Sequence, residues 1–419
     1  MQRSRAQLFA LIGGVVIAAA AVLAKTGGGK PAAAAPAAAI AGPALVPTVE
    51  TPKPAQVDLT LQLDKLTKNG DHYEAPLADG RIAVLTLDPV LQDAAEKLLD
   101  DARAPRGAIV AMAPDGRILA LAGRRTAEPK GGKDGTHDWH LATDVWAPAA
   151  SIFKLVTASA LVAGGLDPDE KVAYHGGLRS VVESNLKDDR RDNNEASLTF
   201  GVAHSNNAIV GKLAYEHLEP GALDAAAHDL GLAADLPVSL ALTGRFAELA
   251  LPHDKTIDFA RAAAGFAGSR LSVLGGALLA SAFADGGEEP VPRIIESIAG
   301  VKQAAPARHR VLAQAVATAV AKMMVATCDV GSAARSFRHH KVEVAGKTGT
   351  LATTEPFYME HSWFVGYAPV DKPQIIVSVL LGNPENWHLR GHEAAKRMID
   401  LAVKEDSGEA ARRAGNPVR

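Results

Sequence analysis

The chain has 419 residues, 47% of them apolar, one cysteine and a formal net charge of −3. That length suits one large domain or two smaller ones with real cores. The near-neutral charge offers no footprint for nucleic acid, and Cys328 alone excludes an internal disulfide framework.

Arg3 and Arg5 precede an uncharged run over 8–24, LFALIGGVVIAAAAVLA, just long enough to span a bilayer. The arginines favour a cytoplasmic N-terminus with the remaining chain exported. The sequence therefore predicts a cytoplasmic tail over 1–7 and a transmembrane signal anchor over 8–24. A cleaved signal peptide and a buried helix are the competing readings. Residues 25–56, rich in Ala, Pro and Gly, read as an extended tether. Residues 57–405 read as the folded domain and 406–419 as a polar tail.

Within the domain, GRIAVLTLDP reads as a strand and VLQDAAEKLLDDARA as an amphipathic helix. GAIVAMAPDGRILALAG reads as a hairpin around Pro114, Asp115 and Gly116. A stretch rich in Gly, Lys and Asp, up to Asp138, reads as a mobile loop. An apolar helix follows over 151–162. VESNLKDDRRDNNEAS, charged with mixed sign, reads as a solvated surface loop, with a substrate entrance as the alternative. Helical patterns return over 198–232, 259–283 and in QAVATAVAKMMVAT. The end reads as three strands, KVEVAGKTGT, HSWFVGYAP and QIIVSVLLGNP, then the helix GHEAAKRMIDLAVKE. Strands toward both ends with helices between predict an α/β (α+β) domain, with antiparallel pairing at the end.

One residue is out of place in this pattern. Lys154 sits in the apolar helix, where a buried ammonium is costly unless paired or neutral. A lysine that gives up its proton can act as a base. Ser151, three positions earlier, shares its helix face and lies where a helix N-terminus favours developing negative charge. Farther on, Ser205 and Asn207 in AHSNNAIVGKLA offer a proton relay and an amide holder, and Lys347 closes the run VEVAG. A second cation there would depress Lys154 further and hold an anionic group. Each feature has a plain structural alternative: a snorkelling Lys154, and a helix N-cap at Ser205 or Asn207. Decoys exist too. Ser184 and Lys187 repeat the first spacing in a polar run, and Lys25 to Gly27 repeats Lys-Thr-Gly in the tether.

The order Ser-x-x-Lys, Ser-x-Asn, Lys-Thr-Gly is the signature of penicillin-binding proteins and class A β-lactamases. The chain resembles the transpeptidase domain of penicillin-binding proteins from about Ile82 to Lys404. LTLDPVLQDAAEKLL resembles the entry to that domain, GAIVAMAPDGRILALAG its first hairpin, and FADGGEEPVPRII the segment after its helical part. AGKTGT and WFVGYAP resemble its third motif and the strand that follows. The resemblance implies an antiparallel sheet flanked by helices beside an all-helical lobe, with the cleft between. It implies that Ser151 is acylated by a D-Ala-D-Ala stem peptide, or by a β-lactam as its mimic, with Lys154 as base. It further implies that Ser205 passes a proton to the leaving group and Asn207 binds the peptide amide. Lys347 and Thr348 would grip the substrate carboxylate, and Gly349 would admit substrate to the strand edge. The backbone N–H groups of Ser151 and Thr350 would form the oxyanion hole.

The sequence departs from the family at three places. Pro148, Ala149 and Ala150 stand where Pro-Gly is usual before the serine, Ile152 where Thr is usual, and Val273 and Leu274 where Thr-Pro is common. The expectation is a single-pass inner-membrane D,D-transpeptidase with its catalytic part periplasmic or extracellular. It would need no cofactor and no metal. Expected partners are peptidoglycan stem peptides, β-lactam antibiotics, the cytoplasmic membrane and other cell-wall synthesis proteins. A D,D-carboxypeptidase, a β-lactamase and a non-catalytic β-lactam sensor or cell-wall scaffold are the alternatives. The sequence ahead of Val57 is too short for a glycosyltransferase or pedestal domain, so a single activity is expected.

Overall fold

A computed structural model of the protein describes residues 59–127 and 129–414, with side chains to 403 except that of Val238. The expected N-terminal tail, anchor and tether all lie outside the described residues. Among those described, no helix is long and apolar enough to cross a membrane.

The main sheet is preceded by α1 (Pro89–Ala102), whose start is fixed by Pro89 and by Asp88, which accepts from the Val90 and Leu91 N–H groups. Strands β1 (Arg106–Met112) and β2 (Ile118–Thr126) form the expected hairpin. Its turn needs Gly116 at φ +88°, where a Cβ would also crowd the Val291 carbonyl. The stretch expected to be mobile instead contributes β3 (Gly135–His137), and the Arg124 guanidinium anchors it by donating to the carbonyls of Gly132 and Lys133.

The C-terminal part supplies β4 (Ala345–Thr353), β5 (Met359–Ala368) and β6 (Ile375–Asn383). Together they make one antiparallel sheet in the order β4-β5-β6-β1-β2-β3. Strand β6 is buried along its whole length, which explains why it reads as a continuous apolar run rather than an alternating one. Helix α1 and the final helix, Gly391–Ala414, cover one face. Helix α5 (Val273–Ala284), apolar all round, lies on the other. Strand β4 is an edge strand, so one row of its backbone groups faces away from the sheet.

Beyond this edge stands the helical lobe. It holds α2 (Lys154–Ala163), α3 (Leu198–Ala203), α4 (Asn207–His217) and α6 (Gln314–Asp329). The sequence shows helical patterns over 198–232 and 259–283. The structure breaks the first after Ala203 and again after His217. It breaks the second after Ala263, where a short strand, Ser269–Leu271, precedes α5. The strand read in GRIAVLTLDP, at Ile82–Leu85, joins a separate five-stranded sheet through Ile295–Ile298.

Candidate active site

Ser151 and Lys154 stand where a 3-10 turn, Ala150–Phe153, runs into α2. The turn is held from three sides. The Trp363 indole donates to the Pro148 carbonyl at 2.9 Å. Ile152 is fully buried and reaches under Gly349, where a Cβ would sit 3.2 Å from its Cγ1. The room that Gly349 saves therefore lies toward Ile152 and Trp363, seating the β4 edge on the serine turn. On the third side Gly265, at φ +89°, has no room for a Cβ because the Ala150 carbonyl fills it. Ala150 itself takes φ +49°, a conformation that costs a residue with a Cβ about 1–2 kcal/mol. The preference for glycine before such a serine thus has a backbone cause.

Lys154 is completely buried. Its Nζ lies 2.8 Å from Ser151 Oγ, 2.7 Å from Asn207 Oδ1 and 2.7 Å from the Ala264 carbonyl oxygen. Burial pushes this amine well below the ordinary lysine range, and repulsion from Lys347 adds to the shift. The Asn207 oxygen and the Ala264 carbonyl only accept hydrogen bonds. A neutral amine gives them its two hydrogens and keeps a lone pair for the Ser151 hydroxyl proton. The contact set suits a base, and the snorkelling alternative fails because no part of Lys154 reaches water.

Ser205 and Asn207 come from the break between α3 and α4. The residue that caps α4 is Asn206, whose side chain accepts from the Ile209 N–H. Ser205 and Asn207 are thereby free of the capping role that the sequence allowed them. Ser205 adopts φ +56°, and its Oγ lies 3.1 Å from the Lys347 ammonium nitrogen. Lys347 is also completely buried, and burial lowers its pKa to about 7. The Thr348 hydroxyl pairs with Ser332 Oγ at 2.6 Å.

Ser151, Ser205, Asn207, Thr348 and Thr350 line one cleft of about 330 Å³ between β4 and the helical lobe. Lys154 and Lys347 lie beneath it. Ala264, Gly265 and Ser332 also belong to this place, and sequence reasoning missed all three. Gly265 ends an apparent helical pattern, a weak signal; Ser332 gave none. The decoy Ser184 bonds instead to His175 Nε2 at 3.0 Å, outside the cleft lining. The charged run around it is less solvated than expected, with Asn185 buried and the Asp192 side chain only 6% exposed. No group of side chains suited to a metal occurs among the described residues.

A family model, the penicillin-binding protein transpeptidase domain, matches residues 107–401. No curated protein matches the chain by sequence. Among solved structures, penicillin-binding protein A from Mycobacterium tuberculosis is similar with a TM-score of 0.62 at 22% identity, over 78% of this chain and 82% of that one. An imipenem acyl-enzyme complex of penicillin-binding protein A from M. tuberculosis gives 0.63 at 23% identity, over 77% and 80%. The D,D-transpeptidase domain of a peptidoglycan glycosyltransferase from Eggerthella lenta gives 0.61 at 23%, over 78% and 84%. At such identities the likeness shows a common fold.

Proposed function

The chain belongs to the penicillin-binding protein transpeptidase-domain family, and from that premise we propose that it is a membrane-anchored D,D-transpeptidase that cross-links peptidoglycan outside the cytoplasmic membrane. The observation that carries this reading is the buried Lys154 amine with two acceptors and the Ser151 hydroxyl around it.

In the proposed reaction Ser151 Oγ attacks the carbonyl carbon of the penultimate D-Ala, and its proton passes to Lys154 Nζ. The backbone N–H groups of Ser151 and Thr350 receive the oxyanion, Asn207 binds the peptide amide, and Thr348 with Lys347 holds the terminal carboxylate. The C–N bond then breaks. The Ser205 hydroxyl gives its proton to the leaving D-Ala nitrogen and is replenished from Lys347, 3.1 Å away. An acceptor amine attacks the acyl-enzyme and surrenders a proton through Ser205 to Lys347. Lys154 returns its own proton to Ser151 Oγ, and the site is restored. The run over 8–24 would anchor the chain and the tether would hold the cleft near the inner wall.

Fluorescent penicillin labelling with mass-spectrometric mapping of the adduct tests this. Ser151→Ala should abolish labelling and Ser184→Ala should leave it. An adduct on any other residue would remove the assignment.

A further inference from the structure

The segment 175–179 carries more fixation than a surface loop needs. His175 Nδ1 bonds the Asp192 carboxylate and its Nε2 meets Ser184 Oγ at 3.0 Å. Asn185 donates to the His175 carbonyl at 2.9 Å, and Lys212 approaches Asp192 at 3.4 Å from α4. Serine, histidine and aspartate in this order look like a hydrolytic triad. Yet the Asn185 amide nitrogen lies 3.2 Å from the same Nε2, so the ring is held rather than poised. The next two residues are pinned as well. Asn206 donates to the Gly176 carbonyl at 3.2 Å, and the Asn207 N–H to the Gly177 carbonyl at 2.7 Å. The loop is thus locked onto the cap and the first residue of α4, the latter in the catalytic cluster.

What the loop delivers to the cleft is Leu178 and Arg179. Leu178 is 81% exposed, a large apolar side chain left open beside Ser151. Arg179 makes no hydrogen bond and no ion pair among the described residues. No Asp or Glu lines the cleft either. A guanidinium on a rigid loop, without an internal carboxylate, is prepared for a planar anion from outside, which it takes through paired N–H donors.

We propose that Arg179 forms a subsite for a second carboxylate, one borne by the donor peptide upstream of its D-alanine pair, with Leu178 packing on the adjoining stem. This deepens the proposed function and rests on it, because the terminal carboxylate is already assigned to Lys347 and Thr348. The charged run 182–197 then acts as the brace of a substrate entrance.

The test uses the full chain in detergent and two acyl-D-Ala-D-Ala donors. One carries a side-chain carboxylate on the residue before the D-alanine pair, and the other the isosteric carboxamide. Acylation of Ser151 is read by mass spectrometry, with benzylpenicillin acylation of the same protein as reference. The wild-type protein should prefer the carboxylate by about tenfold, and added salt should shrink the preference. In Arg179→Gln the ratio should fall to about one, with Arg179→Lys between. Equal rates for the two donors in the wild type, or a preference that survives Arg179→Gln, would overturn the subsite alone. No acylation by either donor or by benzylpenicillin would instead overturn the proposed function beneath it.

Discussion

Lys154 and Lys347 are both buried lysines, yet they suit opposite tasks. Lys154 has two obligatory acceptors and one hydroxyl around its nitrogen, and its burial with repulsion from Lys347 favours the neutral amine, which can take the hydroxyl proton. Lys154→Arg places there a side chain of similar length that stays cationic and does not deprotonate. Acylation by penicillin should fall by on the order of a thousandfold, read by stopped-flow fluorescence; a near-normal rate would leave Lys154 a packing residue. Lys347, lowered to about 7, sits where both proton states are within reach at working pH. In the proposed reaction it must start protonated and Lys154 must start neutral. As pH rises, kcat/KM should first climb while Lys154, depressed far below the lysine range, loses its proton. It should then fall through about 7 as the Lys347 ammonium is lost. The free enzyme's pKa values govern this profile. A rate that keeps climbing well above neutrality would contradict the division of roles.

The elements that build the site are the ones that stop. Helical periodicity runs through 198–232 and 259–283 in the sequence, and the chain breaks both runs at the site. One break exposes Ser205 and Asn207, and the other sends the Ala264 carbonyl to Lys154 and seats Gly265 behind Ala150. Gly265→Ala should therefore do double damage. It puts a Cβ at φ +89° and drives it into the Ala150 carbonyl, for a loss of about 2–4 kcal/mol together with slower acylation. Gly221→Ala is the control, since Gly221 has φ +91° with open space around it. It should cost about 1 kcal/mol and leave acylation alone. Thermal unfolding and penicillin labelling of the pair separate backbone strain from displacement of the serine turn; equal behaviour would refute the proposed contact. This also shows where the sequence was legible. Central strands such as β1 and β6, and the hairpin at Gly116, are set by local patterns of apolar and turn residues, so they could be read. Lys154 stood out because a charge in an apolar helix demands a reason. Ser332, Ala264 and the pinned loop after His175 are joined to the site only by contacts distant in sequence. No periodicity reports such contacts, and the mixed charges around Asp192 concealed a brace behind the look of a solvated loop.

At the scale of the whole molecule the question raised by the proposed reaction is which acceptor would resolve its acyl-enzyme. Hydrolysis needs a base that directs water at the ester, and a carboxylate in the cleft would serve. Among the described residues none lines it; the titratable groups there and beneath it are lysines, a histidine and an arginine. An amine is intrinsically the stronger nucleophile, and in the proposed reaction the Ser205 and Lys347 relay suffices to take its proton. The edge position of β4 adds to this, because its unpaired backbone row can order an extended peptide beside Ser151. Two results are expected. The penicilloyl adduct on Ser151 should outlast the labelling assay, since a β-lactamase would clear it. Incubated with nascent peptidoglycan strands, the protein should yield cross-linked dimers that vanish in Ser151→Ala, with trimmed tetrapeptides as a minor product, as read by digestion and liquid chromatography. Rapid loss of the adduct would move the protein toward the β-lactamases. Trimmed products without dimers, across acceptors and pH, would make water the true acceptor and the protein a carboxypeptidase, with the β4 edge serving the donor alone.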